Sequence, residues 1–302
     1  MRDVEGVEGQ AYLEGSQARV FLLGGIAVRR LKRRSAAAAM TPPQQLLDLP
    51  QHPNVVRLFA VDIHSGDICM EAMAVSLQQH ITLSRQPFDF PDKLHIARSA
   101  AQGLRHLHAH GMDHGDLCPA NILLAWPASP HGEAQVKLCD FYNARTGTAR
   151  TAAYAAPEVV TSPPSTMCAA DVWAFACCLL FLEGVQPFLG FEDPAVLYYL
   201  GVHACVAFKE DGACKPFSLD ACAYAPARHI GQTAWTDILA AAFVPEPRRL
   251  SSLQLCAKLH ALQAAHATHT PHTPHATHTH ATHAPPHKTQ PHRAPLRRLK
   301  FI

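Results

Sequence analysis

Residues His114-Gly115-Asp116-Leu117-Cys118-Pro119-Ala120-Asn121-Ile122-Leu123-Leu124 set an aspartate, an asparagine five positions later and a short apolar run in one line. Nineteen positions beyond Asn121 stands Asp140-Phe141-Tyr142, and eighteen beyond Asp140 comes Glu158 of Ala156-Pro157-Glu158. Working outward, Ile122 to Leu124 and Val136 to Cys139 read as short strands joined by a Pro- and Gly-bearing loop. One carboxylate beside a hydroxyl, with an amide and a second carboxylate as hard oxygen donors, is a constellation suited to magnesium on phosphates.

The order and spacing resemble the eukaryotic-type protein kinase family, whose catalytic loop reads H-R-D-x-x-x-x-N and whose metal-binding motif reads D-F-G. The resemblance covers roughly residues 18–259. It implies an α+β, bilobal protein kinase fold, with a small β-rich N-lobe over 1–75, a larger mainly helical C-lobe over 76–263, and a tail over 264–302. It makes Asp116 the residue that orients the acceptor hydroxyl and takes its proton. Asn121 and Asp140 become the ligands of Mg²⁺ on ATP. Ile26-Ala27-Val28-Arg29 aligns with V-A-I-K, so Arg29 occupies the place of the lysine that anchors the nucleotide phosphates. Met70 is expected to guard the back of the nucleotide pocket, and Glu71 to Met73 to form the hinge whose backbone meets adenine. Glu158 is expected to pair with Arg248 in a buried structural salt bridge. Pro119 and Thr151 point to Ser/Thr acceptors on a protein substrate.

The rest of the chain agrees in outline. Ala18 to Leu23, a Gly24-Gly25 turn and Ile26 to Leu31 read as a hairpin. A short helix is expected around Gln44 to Leu49, and a strand over Ile68 to Met73. Asp92 to His110 carries Leu94, Ala97, Ala101, Leu104 and Leu107 at helical spacing. Asp171 to Ala176 opens an apolar helix whose aspartate, by the resemblance, accepts backbone hydrogen bonds from the catalytic loop. Pro187-Phe188 and Pro245 to Arg248 match two later landmarks of the family.

The departures bear on activity. Cys118 replaces the lysine two residues after the catalytic aspartate, and Gly115 replaces the arginine that receives an activation-loop phosphate. Tyr142 replaces a glycine whose backbone freedom lets the motif flip. Tyr142 is expected to fix Asp140 either in or out. Between Ser35 and Leu47 there is no carboxylate to pair with a phosphate-anchoring cation, and Gly6, Gly9 and Gly15 form no G-x-G-x-x-G. Two functional classes follow: a divergent Ser/Thr protein kinase, or a pseudokinase that binds partners or nucleotide without efficient transfer. Retention of Asp116, Asn121 and Asp140 together favours the enzyme.

Composition sets the remaining bounds. With 302 residues and 48% hydrophobic content, the chain buries a large core. The net charge of +2 points to no polyanionic partner, and the basic cluster Arg297-Arg298-Leu299-Lys300 is a weak patch for nucleic acid or localisation. Ten cysteines without a C-x-x-C pair read as free thiols of a reducing compartment, cytoplasmic or nuclear. The N-terminus lacks an apolar signal core, and the longest apolar run, Val172 to Leu182, is too short for a transmembrane segment. Nine histidines between His266 and His292, set among Thr, Pro and Ala, read as a disordered low-complexity spacer rather than a metal site.

Overall fold

The computed structural model describes residues 13–14, 18–32, 43–62, 67–84, 87–127, 132–141, 154–156, 158–159, 167–184, 234–244 and 248–269. Tyr142, Thr151, Pro187-Phe188 and the tail beyond His269 lie outside them.

The N-terminal part is an antiparallel sheet of five strands: β1 (Leu13–Glu14), β2 (Ala18–Leu23), β3 (Ile26–Leu31), β4 (Leu58–Val61) and β5 (Ile68–Glu71), in the order β1-β2-β3-β5-β4. The hairpin closes as expected through the two-residue turn Gly24-Gly25, with Leu23 opposite Ile26. Both turn residues take positive φ, which matches the right-handed twist of the flanking strands. On β3, Ala27, Val28 and Arg29 are buried while Ile26 stays exposed. Pairing of β3 with β5 sets Ala27 opposite Met70 and Arg29 opposite Ile68. Helix α1 (Pro43–Leu47) is a short turn that anchors Leu46 in the core.

The larger part begins with β6 (Val75–Ser76) and α2 (Leu77–Ser84). The long helix α3 (Phe90–Ala109) starts at Asp89, whose carboxylate accepts the Asp92 N–H at 2.9 Å, a side-chain cap for an otherwise unpaired donor. All five residues of its expected apolar stripe are buried. Gly103 on this helix faces the loop after α1: a β-carbon there would lie 2.4 Å from the Asn54 carbonyl oxygen. Only a glycine permits so close a crossing. Strands β7 (Ile122–Ala125) and β8 (Gln135–Leu138) pair antiparallel and complete a small sheet, β6-β7-β8.

Helix α4 (Cys168–Leu182) is buried at every residue from Ala170 to Leu182, and its apolar character follows from being enclosed on every side. Helices α5 (Thr236–Ala242) and α6 (Ser252–His269) cover it and α3. The C-terminal end of α4 is tied down by Glu183. Its carboxylate accepts Trp235 Nε1–H at 2.7 Å on one oxygen and meets Lys93 Nζ at 2.8 Å on the other. Among the described residues no helix is long and apolar enough to cross a membrane.

Two expectations are corrected. Glu158 pairs with Arg249, not Arg248. Arg249 is 8% exposed, and its Nη2 donates to Glu158 Oε2 at 3.1 Å while Nη1 donates to Oε1. Nη1 also meets the Ala169 carbonyl at 2.8 Å, Nε and Nη2 meet that of Val244, and the guanidinium lies over the Trp173 ring. Arg248, one step along the chain, points to solvent. The second correction concerns the tail: α6 continues through Ala264 to His269, past the expected boundary. Tertiary packing extends it, because the His266 ring lies 4.9 Å from that of Phe90 on α3.

Candidate active site

The loop His114 to Asn121 is held from below by one buried carboxylate. Asp171, 2% exposed on α4, accepts the His114 N–H at 2.8 Å on Oδ2 and the Gly115 N–H at 2.8 Å on Oδ1. His108 Nε2 reaches the same Oδ2 at 2.9 Å, and its Nδ1 lies 3.0 Å from Ser252 Oγ. The loop, α3, α4 and α6 thus meet at Asp171. His108 had a faint signal in the sequence, a polar residue following the buried Leu104 and Leu107 at the end of an amphipathic helix. Its partner lies 63 residues away, which no local pattern encodes.

Gly115 has φ +75°, the left-handed region where a side chain is strained. The glycine therefore does more than remove an arginine: it lets the two amides turn toward Asp171 at no steric cost. His114 is fully buried, and burial holds its imidazole below the ordinary histidine value, so the ring is neutral at pH 7.

Pro119 to Asn121 form a single 3₁₀ turn. Asn121 Nδ2 donates to the Asp116 carbonyl at 2.8 Å and reaches Asp116 Oδ2 at 3.5 Å. The same residue fixes Asp140, because the Cys139 N–H donates to the Asn121 carbonyl at 3.0 Å. Asp116, Asn121 and the residue before Asp140 are therefore joined by short links. Cys118, at the position of the expected lysine, is 3% exposed.

Asp140 takes φ +61°, the one described non-glycine residue with positive φ, while Phe141 beside it is fully buried. Sealing of the phenyl ring holds the strained backbone and turns the carboxylate toward β3. There Arg29 Nε lies 3.2 Å from Asp140 Oδ1. Arg29 is 5% exposed, and α1 brings no carboxylate to it. The Asp140 carboxylate is thus directed at β3, while Tyr142, expected to fix it either in or out, lies outside the described residues.

Met70 is buried on β5, opposite Ala27. The segment after it is pinned on two sides. Ala72 N–H donates to the Gly25 carbonyl at 3.0 Å, and Ala74 N–H to that of Leu124 at 3.1 Å. Met73 sits between these anchors, on the link from β5 to β6. The Glu71 side chain turns away from the cleft: its Oε1 accepts from Lys137 Nζ and from the Arg57 backbone N–H, each at 2.6 Å. Sequence reading missed Lys137, 7% exposed, since a lysine in a short strand gives no hint of a buried partner 66 residues away. Among the described residues no cluster of three or more His, Cys, Asp or Glu is placed to hold a metal ion by itself.

Comparison with known proteins identifies the family. Residues 24–207, more than half of the chain, match the protein kinase domain. Over 82 residues, 26% of this chain and 13% of the relative, the sequence is 38% identical to the mouse dual specificity testis-specific protein kinase 1. Over 154 residues it is 29% identical to the mitogen-activated protein kinase HOG1B of Wallemia ichthyophaga, covering 48% of this chain and 40% of that one. Over 177 residues it is 29% identical to a probable CTD kinase subunit alpha homolog of Encephalitozoon cuniculi, covering 55% and 52%. The matched stretches thus span from about an eighth to about half of these relatives. On the domain match, with the β-sheet N-terminal part and helical C-terminal part that frame the cleft, this chain belongs to the protein kinase family.

Proposed function

We propose that the chain transfers the terminal phosphoryl group of ATP to serine or threonine hydroxyls of protein substrates. The observation that supports this reading is the chain of short links from Asp116 through Asn121 to Cys139, next to an Asp140 that meets Arg29. In this reading the backbone of Glu71 and Met73 meets adenine, and Met70 closes the pocket behind it. The Asp116 carboxylate aligns the acceptor hydroxyl and takes its proton. Positioning of this kind, with electrostatic stabilisation, accounts for nearly all the protein's contribution to phosphoryl transfer.

Asp140 and Asn121 supply two hard oxygens, which fits a magnesium ion that completes its shell from phosphates and water. Bound there, the ion would neutralise charge on the phosphates. Arg29 brings a fixed positive charge to the same region, and Asn121 keeps the Asp116 backbone in place through its 2.8 Å bond. Pro119 supports hydroxyl acceptors of the serine and threonine type, whereas the mouse relative bears a dual specificity name.

A transfer assay with labelled ATP on mixed protein substrates, followed by phosphoamino-acid analysis, tests the reading. Phosphoserine and phosphothreonine are the expected products. Label found on tyrosine alone would overturn the acceptor assignment.

A further inference from the structure

Three histidines join the loop after α1 to the end of α3, away from the cleft described above. The His52 ring stacks on that of His106, with centroids 4.6 Å apart and 22° between the planes. His106 in turn meets His110, on the same side of α3, at 4.4 Å. Their partners assign the ring protons, because a carbonyl only accepts and a backbone N–H only donates. His106 Nε2–H donates to the Pro50 carbonyl at 2.7 Å, and His110 Nδ1–H to that of His106 at 2.8 Å. His52 works the other way: its Nδ1 accepts the Asn54 N–H at 3.1 Å. A second proton on His106 or His110 leaves these bonds in place. On His52 it must go to Nδ1, where it faces the Asn54 N–H and removes the acceptor that turns the loop.

The surroundings of His52 oppose that proton as well. Burial first, then His106 on α3 and Lys137 on β8, holds its imidazole below the ordinary value. The groove beside it is also lined by Arg57, ahead of β4, and by Glu71 on β5, whose carboxylate meets Lys137 at 2.6 Å. The loop that His52 shapes is fastened to β8. The Asn54 carbonyl accepts the Leu138 N–H at 2.9 Å, and the Val56 N–H donates to the Leu138 carbonyl at 2.9 Å. Asn54 Nδ2 donates to the Val136 carbonyl at 3.0 Å, and Gly103 of α3 presses on the Asn54 carbonyl from the other side. The turn at His52 therefore sets a seat shared by α3, the loop and the strand that ends beside Asp140.

We propose that His52 is a proton-operated latch: with a neutral ring the loop from Pro50 to Val56 is locked onto α3 and β8, and a protonated ring releases it from β8. The latch is independent of the phosphoryl-transfer reading. Opening returns the ring to its ordinary titration, so acid favours the open loop from about pH 6.5 downward. One such proton shifts the opening equilibrium by at most about tenfold at pH 5.5.

Amide hydrogen exchange of the full chain at pH 7.5 and 5.5, expressed as protection relative to intrinsic rates, reads the latch. The Val56 and Leu138 amides should lose protection about threefold to tenfold at the lower pH, and should then exchange faster than the Cys177 and Leu179 amides of α4. His52→Asn supplies an oxygen that accepts the same Asn54 N–H and takes no proton. In that variant the loss at Val56 and Leu138 should shrink to under about twofold. A wild-type loss that persists unchanged in His52→Asn would overturn the latch. So would Val56 and Leu138 amides protected as well as those of α4 at pH 5.5, because the loop would then open only with the whole molecule. That second comparison is made on the wild-type chain alone and holds even where the variant fails to fold.

Discussion

Gly115 and Arg29 are the two residues at which a family motif has changed and the structure has absorbed the change. At Gly115 the backbone adopts φ +75° so that its amide and that of His114 reach Asp171. An alanine there would keep the hydrogen bonds but meet the steric cost of the left-handed region. Gly115→Ala should lower stability by about 1 kcal/mol, read as a shift in the denaturant midpoint with unchanged slope. Arg29 shows the opposite case, a larger cation that has found a partner in Asp140. The motif residues themselves were legible, because aspartate, asparagine and aspartate at fixed spacing survive as text. The contact between Arg29 and Asp140 was not, since it depends on two segments that meet only after both sheets form.

Helices and strands were legible for a related reason. The largely apolar runs either side of Gly24-Gly25 and the 3.6-residue stripe of α3 are local signals, and the structure keeps both. The choice of Arg249 over Arg248 was not, because two adjacent arginines have the same local chemistry and only the packing around Trp173 separates them. Arg249→Ala leaves Glu158 half-enclosed without its bidentate partner and should cost about 3 kcal/mol, against under about 0.5 kcal/mol for Arg248→Ala. Parallel urea unfolding of the two variants distinguishes them, and equal losses would contradict the pairing. The contact of α3 with the loop after α1 supplies another test. Because the added methyl of Gly103→Ala would overlap the Asn54 carbonyl, backbone must shift, at a cost of about 2 kcal/mol in the same unfolding measurement.

Across the whole molecule, burial of histidine sets a pH dependence. His52 and His114 both titrate below the ordinary value of 6.5, His52 mainly through burial with added repulsion from His106 and Lys137, and His114 through burial outweighing the pull of Asp171 and Asp140. In the unfolded chain these rings take up protons as pH falls through about 6.5, while in the folded chain they do so only at lower pH. Protons therefore favour unfolding in that window. Stability is full above 6.5 and declines as pH drops from there toward the folded values. The melting temperature should be lower at pH 5.5 than at 7.5, and His114→Phe should narrow the difference. A variant with the wild-type difference would show that His114 contributes nothing to it.

On the same scale, the central claim of the proposed function is that sheet, helices and loop bring the Asp116 carboxylate to an acceptor hydroxyl. Asp116→Asn keeps the size of the side chain and the backbone carbonyl to which Asn121 donates, so the fold should persist with an unchanged melting temperature. The most direct measurement is transfer of labelled phosphate from ATP to a protein substrate by wild type and by Asp116→Asn, side by side. Wild type should label the substrate, and the variant should fall by a factor of about a hundred or more, the range for loss of a positioned acid–base group. Equal labelling by the two proteins would contradict the account.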